Sequence, residues 1–205
     1  MDKWFRKLFI LIAILVQGNP AVAFSQDWGT LKRAAESIHT LKADFTQKRH
    51  LRIFENPLIS KGRLYYKAPD LLRWEYSSPL RSVMLKRGEN INVYQFLEGA
   101  WKADSTKSFE ARGMIFAEIN RWLKGRFNEA GGFTASYNSG PPICITLTPN
   151  EEFKRFLNRI ELIFSEKLGI LRSVEIIESQ EDRTRIEFTN VEINAHLPDG
   201  VFEKP

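Results

Sequence analysis

The chain is 205 residues long, 43% apolar and 27% charged, with a formal net charge of +5 and a single cysteine. That length bounds it to one domain with a sizeable core, and no Pro/Gly/Ser linker, charge block or internal repeat divides it. Cys144 alone excludes an intrachain disulfide, and its place in Ile143-Cys144-Ile145 predicts a buried, inert thiol.

Residues 1–23 read as a cleavable secretory signal: Lys3, Arg6 and Lys7 form a basic start, Leu8 to Val16 an apolar run, and Ala21-Val22-Ala23 a small-residue cleavage site. The run falls well short of the ~20 residues a membrane-spanning helix needs. The chain is therefore expected to be exported, with residues 24–205 forming one domain. No cysteine follows the cleavage site, so no lipid is expected there and the mature chain should move freely. Loss of Lys3, Arg6, Lys7 and Asp2 removes three cations and one anion, lowering the formal charge from +5 to +3. The remaining Lys48, Arg49, Arg52, Arg81, Lys86 and Arg87 are dispersed rather than gathered on one helix, which argues for a solvated face and against a nucleic-acid partner.

Trp28, Leu31, Ala35 and Ile38 recur at helical spacing and predict a first amphipathic helix, with Asp27 as its N-cap. Leu41 to Leu51 reads as a strand. Ser60 to Pro79 reads as a β-hairpin around Lys67-Ala68-Pro69-Asp70: Leu64 and Tyr66 face one side and Arg63, Tyr65 and Lys67 the other, then Leu72, Trp74 and Tyr76 alternate with Arg73 and Glu75. That apolar face must be covered, by the chain's own core or by an apolar ligand. Strands follow at Ser82–Lys86 and Ile91–Phe96, joined by Arg87-Gly88-Glu89-Asn90. Glu110 to Lys124 breaks the two-residue period: Ile115, Ile119 and Trp122 share a stripe, and Gly125 stops the helix. Strands resume near Phe127 and continue at Phe133–Tyr137, Ile143–Thr148, Ile160–Phe164, Leu171–Ile177 and Thr184–Val191. Strands outnumber helices and do not alternate with them, which excludes a parallel βαβ design. The expected class is mainly β with helices (α+β), a curved antiparallel sheet covered on one face.

Chemistry is thinly supplied. His39, His50 and His196 are far apart in sequence and show no metal-ligand spacing, and no nucleophile elbow, phosphate loop or dinucleotide fingerprint appears. Glu151-Glu152 and Glu181-Asp182 sit in turn-like settings that suit solvated charge. No metal, cofactor or catalytic residue is expected, while the aromatic supply of 15 Phe, 5 Trp and 5 Tyr points toward binding.

Gly62, Leu64, Pro69 and Trp74, spaced as G-x-L-x-x-x-x-P-x-x-x-x-W, resemble the signature hairpin of the periplasmic outer-membrane lipoprotein carrier family. Ala43-Asp44-Phe45-Thr46-Gln47 resembles its first strand, Ile160–Phe164 a late strand, and Thr184–Asn190 with Phe202 its closing strands. The resemblance implies an incomplete β-barrel under a helical lid, with an apolar cavity for acyl chains lined by Ala35, Ile38, Phe45, Leu64, Tyr66, Leu72, Trp74, Tyr76, Ile115, Ile119 and Trp122. It implies a monomeric periplasmic shuttle without nucleotide or metal. Acylated lipoproteins would be its cargo, an ATP-driven inner-membrane lipoprotein-releasing complex its donor and an outer-membrane lipoprotein receptor its acceptor. Two positions depart from the family's best-known members: Ala68 stands where they carry a lid-fastening arginine, and Ala35 where they carry leucine. Arg73 or Arg63 is the expected substitute latch. The departure leaves a glycolipid or polyene-like amphiphile open as cargo, and a half-barrel protein-binding sensor open as an alternative role.

Overall fold

The computed structural model describes residues 28–104, 116, 118–127, 129 and 132–205. The signal segment, Asp27 and Ile115 lie outside the described residues. One helix, α1 (Trp28–Glu36), precedes β1 (Thr40–His50), β2 (Leu58–Lys67), β3 (Leu71–Ser78), β4 (Ser82–Arg87), β5 (Asn90–Leu97) and β6 (Ala100–Ala103). Residues 118–123 are helical. Then come β7 (Phe133–Asn138), β8 (Cys144–Pro149), β9 (Arg159–Phe164), β10 (Leu171–Ile177), β11 (Arg183–Ile193) and a 3-10 turn, Asp199–Phe202.

All eleven strands form one sheet in the order β6-β5-β4-β3-β2-β1-β11-β10-β9-β8-β7. Each half is an antiparallel meander, and the halves are stitched by β1 against β11, with Phe45 opposite Phe188. The edges β6 and β7 do not pair with each other, so the described sheet is curved but unclosed.

Two-residue alternation decides which side is buried. Leu64 and Tyr66 on β2, Leu72 and Trp74 on β3, Ile145 and Leu147 on β8 and Ile160, Leu162 and Phe164 on β9 all enter one core, which α1 joins through Leu31 and Ala35. Leu64 pairs with Trp74, and Ala43 with Leu64. Gly62 is required by close approach: a Cβ there would stand 2.0 Å from the Glu75 carbonyl oxygen and 2.4 Å from the Phe45 ring. The signature glycine thus lets the Phe45 ring lie across β2. The opposite face carries a smaller cluster. Val83 and Leu85 are buried there with Phe202, whose carbonyl accepts hydrogen bonds from Arg87 Nε and Nη2 at 3.0 and 2.6 Å.

Several expectations require correction. Phe127 lies in a turn rather than a strand, because its ring packs into the core edge-on to Phe164 at 5.6 Å. Phe202 anchors the 3-10 turn on the outer face and is not part of a closing strand. Cys144 is half-buried: β8 buries Ile145 and Leu147, and its alternation turns Cys144 the other way. Strand β6 was not foreseen, and three of its four residues are exposed.

Candidate functional site

The buried face of the sheet and the helical elements enclose an apolar interior, and Phe45, Trp74, Tyr76 and Phe188 set its floor. The Phe45 and Trp74 rings are 4.4 Å apart, Phe45 meets Tyr76 edge-on at 5.2 Å, and Trp74 meets Phe188 edge-on at 6.2 Å. The Tyr76 hydroxyl donates to Gln47 Oε1 at 2.8 Å and marks the polar margin. From above, Ile119, Trp122 and Leu123 close over Leu64 and Trp74, with Phe127, Ile170 and Val191 at the sides. What remains is a void of about 30 Å³. An acyl chain cannot enter a space that small, since even benzene takes a cavity of ~150 Å³. Ile119, Trp122 and Leu123 therefore take up much of the space above Leu64 and Trp74.

Of the residues singled out from sequence, Leu64, Trp74, Ile119 and Trp122 line this void. Ile38, Phe45, Tyr66 and Leu72 are buried in the surrounding core, and Tyr76 packs against it half-buried. Burial pushes the Tyr66 hydroxyl up to about 12, with the Asp70 carboxylate adding to the shift, so it stays neutral. Ala35 does not line the void. It lies where α1 crosses two turns: a Cβ on Gly125 would stand 3.2 Å from Ala35 Cβ, and one on Gly169 would stand 2.9 Å from the Ala35 nitrogen. Leucine has no room at that crossing, which accounts for alanine there. The sequence reading missed Leu41, Phe164, Ile170, Ile186 and Phe188, all on the void's walls; for all but Ile170, which precedes β10, period-2 placement on predicted strands was the available signal.

Two polar features stand out in this interior. Trp74 Nε1 is buried with no hydrogen-bond partner among the described residues, an orphaned donor beside an apolar void. Asn120 Oδ1, on the helical segment, is likewise unpartnered. Trp74 borders the void, whereas Asn120 does not line it and hydrogen-bonds Asp70.

The lid contact differs from expectation. Arg73 donates to Glu75 and to the Val201 and Glu203 carbonyls, and Arg63 stands 3.4 Å from Asp44. Both occupy the register opposite Leu64 and Trp74, so they point to the outer face and neither latches a helix. Asp70 makes the tie instead: Lys124, just past the helical residues, donates to its carboxylate. That hydrogen bond, helped by the charges of Lys124 and Lys86 and a hydrogen bond from Asn120, holds the Asp70 carboxyl below the ordinary carboxylate range despite some burial. Asn194, in a left-handed conformation at φ 56°, fastens the other end of α1. Its Oδ1 accepts from His39 N at 2.7 Å and its Nδ2 donates to Ser37 O at 3.0 Å.

His39, His50 and His196 belong to separate elements, and among the described residues no group of three His, Cys, Asp or Glu is placed to hold a metal. No described helix is long and apolar enough to cross a membrane.

Comparison with known proteins adds the following. Residues 36–204 match the family described as outer membrane lipoprotein carrier protein LolA. An outer-membrane lipoprotein carrier protein from Pseudomonas putida is 25% identical over 198 residues, covering 95% of this chain and 91% of its own. One from Dechloromonas aromatica is 28% identical over 171 residues, covering 82% and 78% respectively. The crystal structure of a DUF1329 family protein from Desulfovibrio piger superposes with a TM-score of 0.50 at 11% identity, over 86% of this chain and 95% of that one, a likeness of fold.

Proposed function

Because the chain belongs to the LolA family of outer membrane lipoprotein carrier proteins, a family of carriers and not of enzymes, we propose that it binds lipoprotein acyl chains between its sheet and helical lid. On this reading residues 1–23 direct export, and the single domain 24–205 shuttles cargo through the periplasm from the inner to the outer membrane. An ATP-driven complex supplies the cargo and an outer-membrane receptor accepts it.

The observation that carries the proposal is the near-filled interior. Trp74, Leu64, Ile186 and Phe188 offer a continuous apolar surface, and Ile119 and Trp122 cover it without filling it, leaving about 30 Å³. Displacing those two side chains exposes the surface to acyl chains. The unpartnered Trp74 N–H suits a ligand whose ester or amide carbonyl follows the chain into the site, because a buried donor gains most from an acceptor brought by the ligand. An acylated lipoprotein carries both.

Native mass spectrometry of protein purified gently from its own cell envelope, followed by organic extraction, tests the assignment. A co-purifying triacylated lipoprotein supports it. Recovery of a glycolipid or polyene would move the cargo to another amphiphile. A protein that comes out empty and accepts no lipopeptide from detergent would reject the carrier role and favour a protein-binding sensor.

A further inference from the structure

The large apolar side chains that stand exposed among the described residues gather at one end of the sheet. Ile53 and Phe54 occupy the β1–β2 connection, with Leu58 opening β2; Leu80 occupies the β3–β4 connection, Leu97 closes β5, and Phe156 lies between β8 and β9. Strand pairing puts all of these at the same end, since His50 pairs with Arg183, Ile177 with Arg159, and Lys61 with Ser78. Ile53 is 81% exposed and Leu80 77%, so the two tips stand clear of the protein. The lid clasp at Asp70 is at the opposite end, in the β2–β3 turn.

Spacing and charge identify what this rim fits. Successive connections on one rim are two strand intervals apart, ~10 Å. Apolar tips separated in this way do not form the contiguous patch of ~800 Å² that a protein partner needs. A bilayer interface receives isolated side chains at any spacing. The charge beside the Leu80 tip is basic: Lys61, opposite Ser78, and Arg81 are both exposed, and the Arg81 guanidinium lies over the rings of Phe96 and Trp101 at 4.3 and 5.3 Å, whereas the β1–β2 tip carries the single acid Glu55. Arg52 is already held by Glu181 at 3.0 Å.

We propose that this rim is a membrane-docking edge, which lays Ile53, Phe54 and Leu80 into the interface of an anionic phospholipid bilayer and sets Lys61 and Arg81 against headgroup phosphates. The inference goes beyond lipid carriage and does not depend on the cavity. Docking by the rim would bring the sheet end-on to a membrane while the clasped end faces away.

The test places a bimane fluorophore on Asn56→Cys, at the tip of the β1–β2 connection, or on Glu89→Cys at the opposite end, each in a full chain carrying Cys144→Ser. Vesicles of phosphatidylethanolamine and phosphatidylglycerol are compared with vesicles of phosphatidylcholine alone. The expected result is a blue shift at position 56, quenched by lipids brominated in their acyl chains, with none at position 89. Anionic vesicles should bind at least tenfold more tightly than neutral ones. The combined exposed-site variant Ile53→Ser, Phe54→Ser and Leu80→Ser should lose at least tenfold in partitioning while keeping its melting temperature. Absence of quenching at position 56, equal quenching at both positions, or a vesicle-independent shift that grows with protein concentration would each overturn the proposal, the last by assigning the rim to a second copy of the chain. Cargo recovery by mass spectrometry is a separate readout, so either proposal can fail alone.

Discussion

Replacing Asp70 by Asn tests whether one ion pair sets how readily the lid opens. Asp70 and Lys124 are partly exposed, with 35% and 21% of their side-chain surfaces accessible, so the pair is worth ~1 kcal/mol rather than the larger value of a desolvated one. If the closed lid competes with ligand for the same volume, weakening closure by that amount raises apparent affinity for an apolar dye or lipopeptide ~5-fold, in proportion to the gain in open population. Lys124→Met should do the same, and the double variant should add little, because both single changes remove one interaction. Acid supplies a second arm. The Asp70 carboxyl is held below its ordinary value of 3.8, so the clasp contributes in full above that pH and is lost as pH falls through the lower folded value. Dye affinity of the parent should therefore rise at low pH toward that of Asp70→Asn, whose own affinity stays level. Fluorescence titration across pH measures both arms. Equal dye affinity in parent and variant at neutral pH, with melting temperatures confirming that both are folded, would refute the clasp.

Gly62→Ala should destabilise by ~3 kcal/mol or more, because the added methyl meets the Glu75 backbone at 2.0 Å and neither β2 nor β3 can shift without losing pairing; chemical denaturation measures it. Ala35→Leu overfills the crossing of α1 with Gly125 and Gly169 and should cost ~1–3 kcal/mol while increasing dye binding, since α1 is forced off the sheet. Trp74→Phe deletes the orphaned donor and should weaken a lipid ester ~2- to 10-fold relative to an alkane of equal length, the worth of one hydrogen bond, as read by competition against the dye. Asn194→Ala removes the fastening of α1 to β11 and should lower stability by ~1–2 kcal/mol, with faster amide exchange at His39 as its local signature.

The hairpin at the centre of the sheet was legible because β2 and β3 each bury one face and solvate the other, so Leu64, Tyr66, Leu72 and Trp74 declare themselves by period. Cys144 shows where that reasoning slips. Three successive apolar residues, Ile143 to Ile145, suggested a buried run, yet β8 obeys the two-residue rule and only Ile145 of the three is buried. The lid contacts were not legible for a different reason. Asp70 and Lys124 are 54 positions apart, and Asn194 reaches His39 across 155; a single polar residue meeting another over such a distance leaves no local periodic trace. Ala35 and Gly125 were singled out for other reasons and Gly169 not at all, since what the three contribute where α1 crosses the two turns is the absence of side-chain volume. Arg63 and Arg73 attracted attention by charge, but strand register had already turned them outward.

The nearly filled interior carries an energetic consequence for a carrier. Burying one palmitoyl-sized chain is worth ~12 kcal/mol gross, at ~0.8 kcal/mol for each methylene. Phe116, Ile119 and Trp122 are buried from the lid side, and displacing three such side chains forfeits ~5–9 kcal/mol, at ~1.5–3 kcal/mol each. The remainder, ~3–7 kcal/mol, corresponds to millimolar-to-micromolar binding for one chain, a range from which cargo can still be withdrawn. Such a balance depends on the lid being apolar and nearly complementary to the sheet. A wide preformed cavity would keep the full ~12 kcal/mol and hold its cargo. Against that difference the ~1 kcal/mol clasp between Asp70 and Lys124 is a fine adjustment.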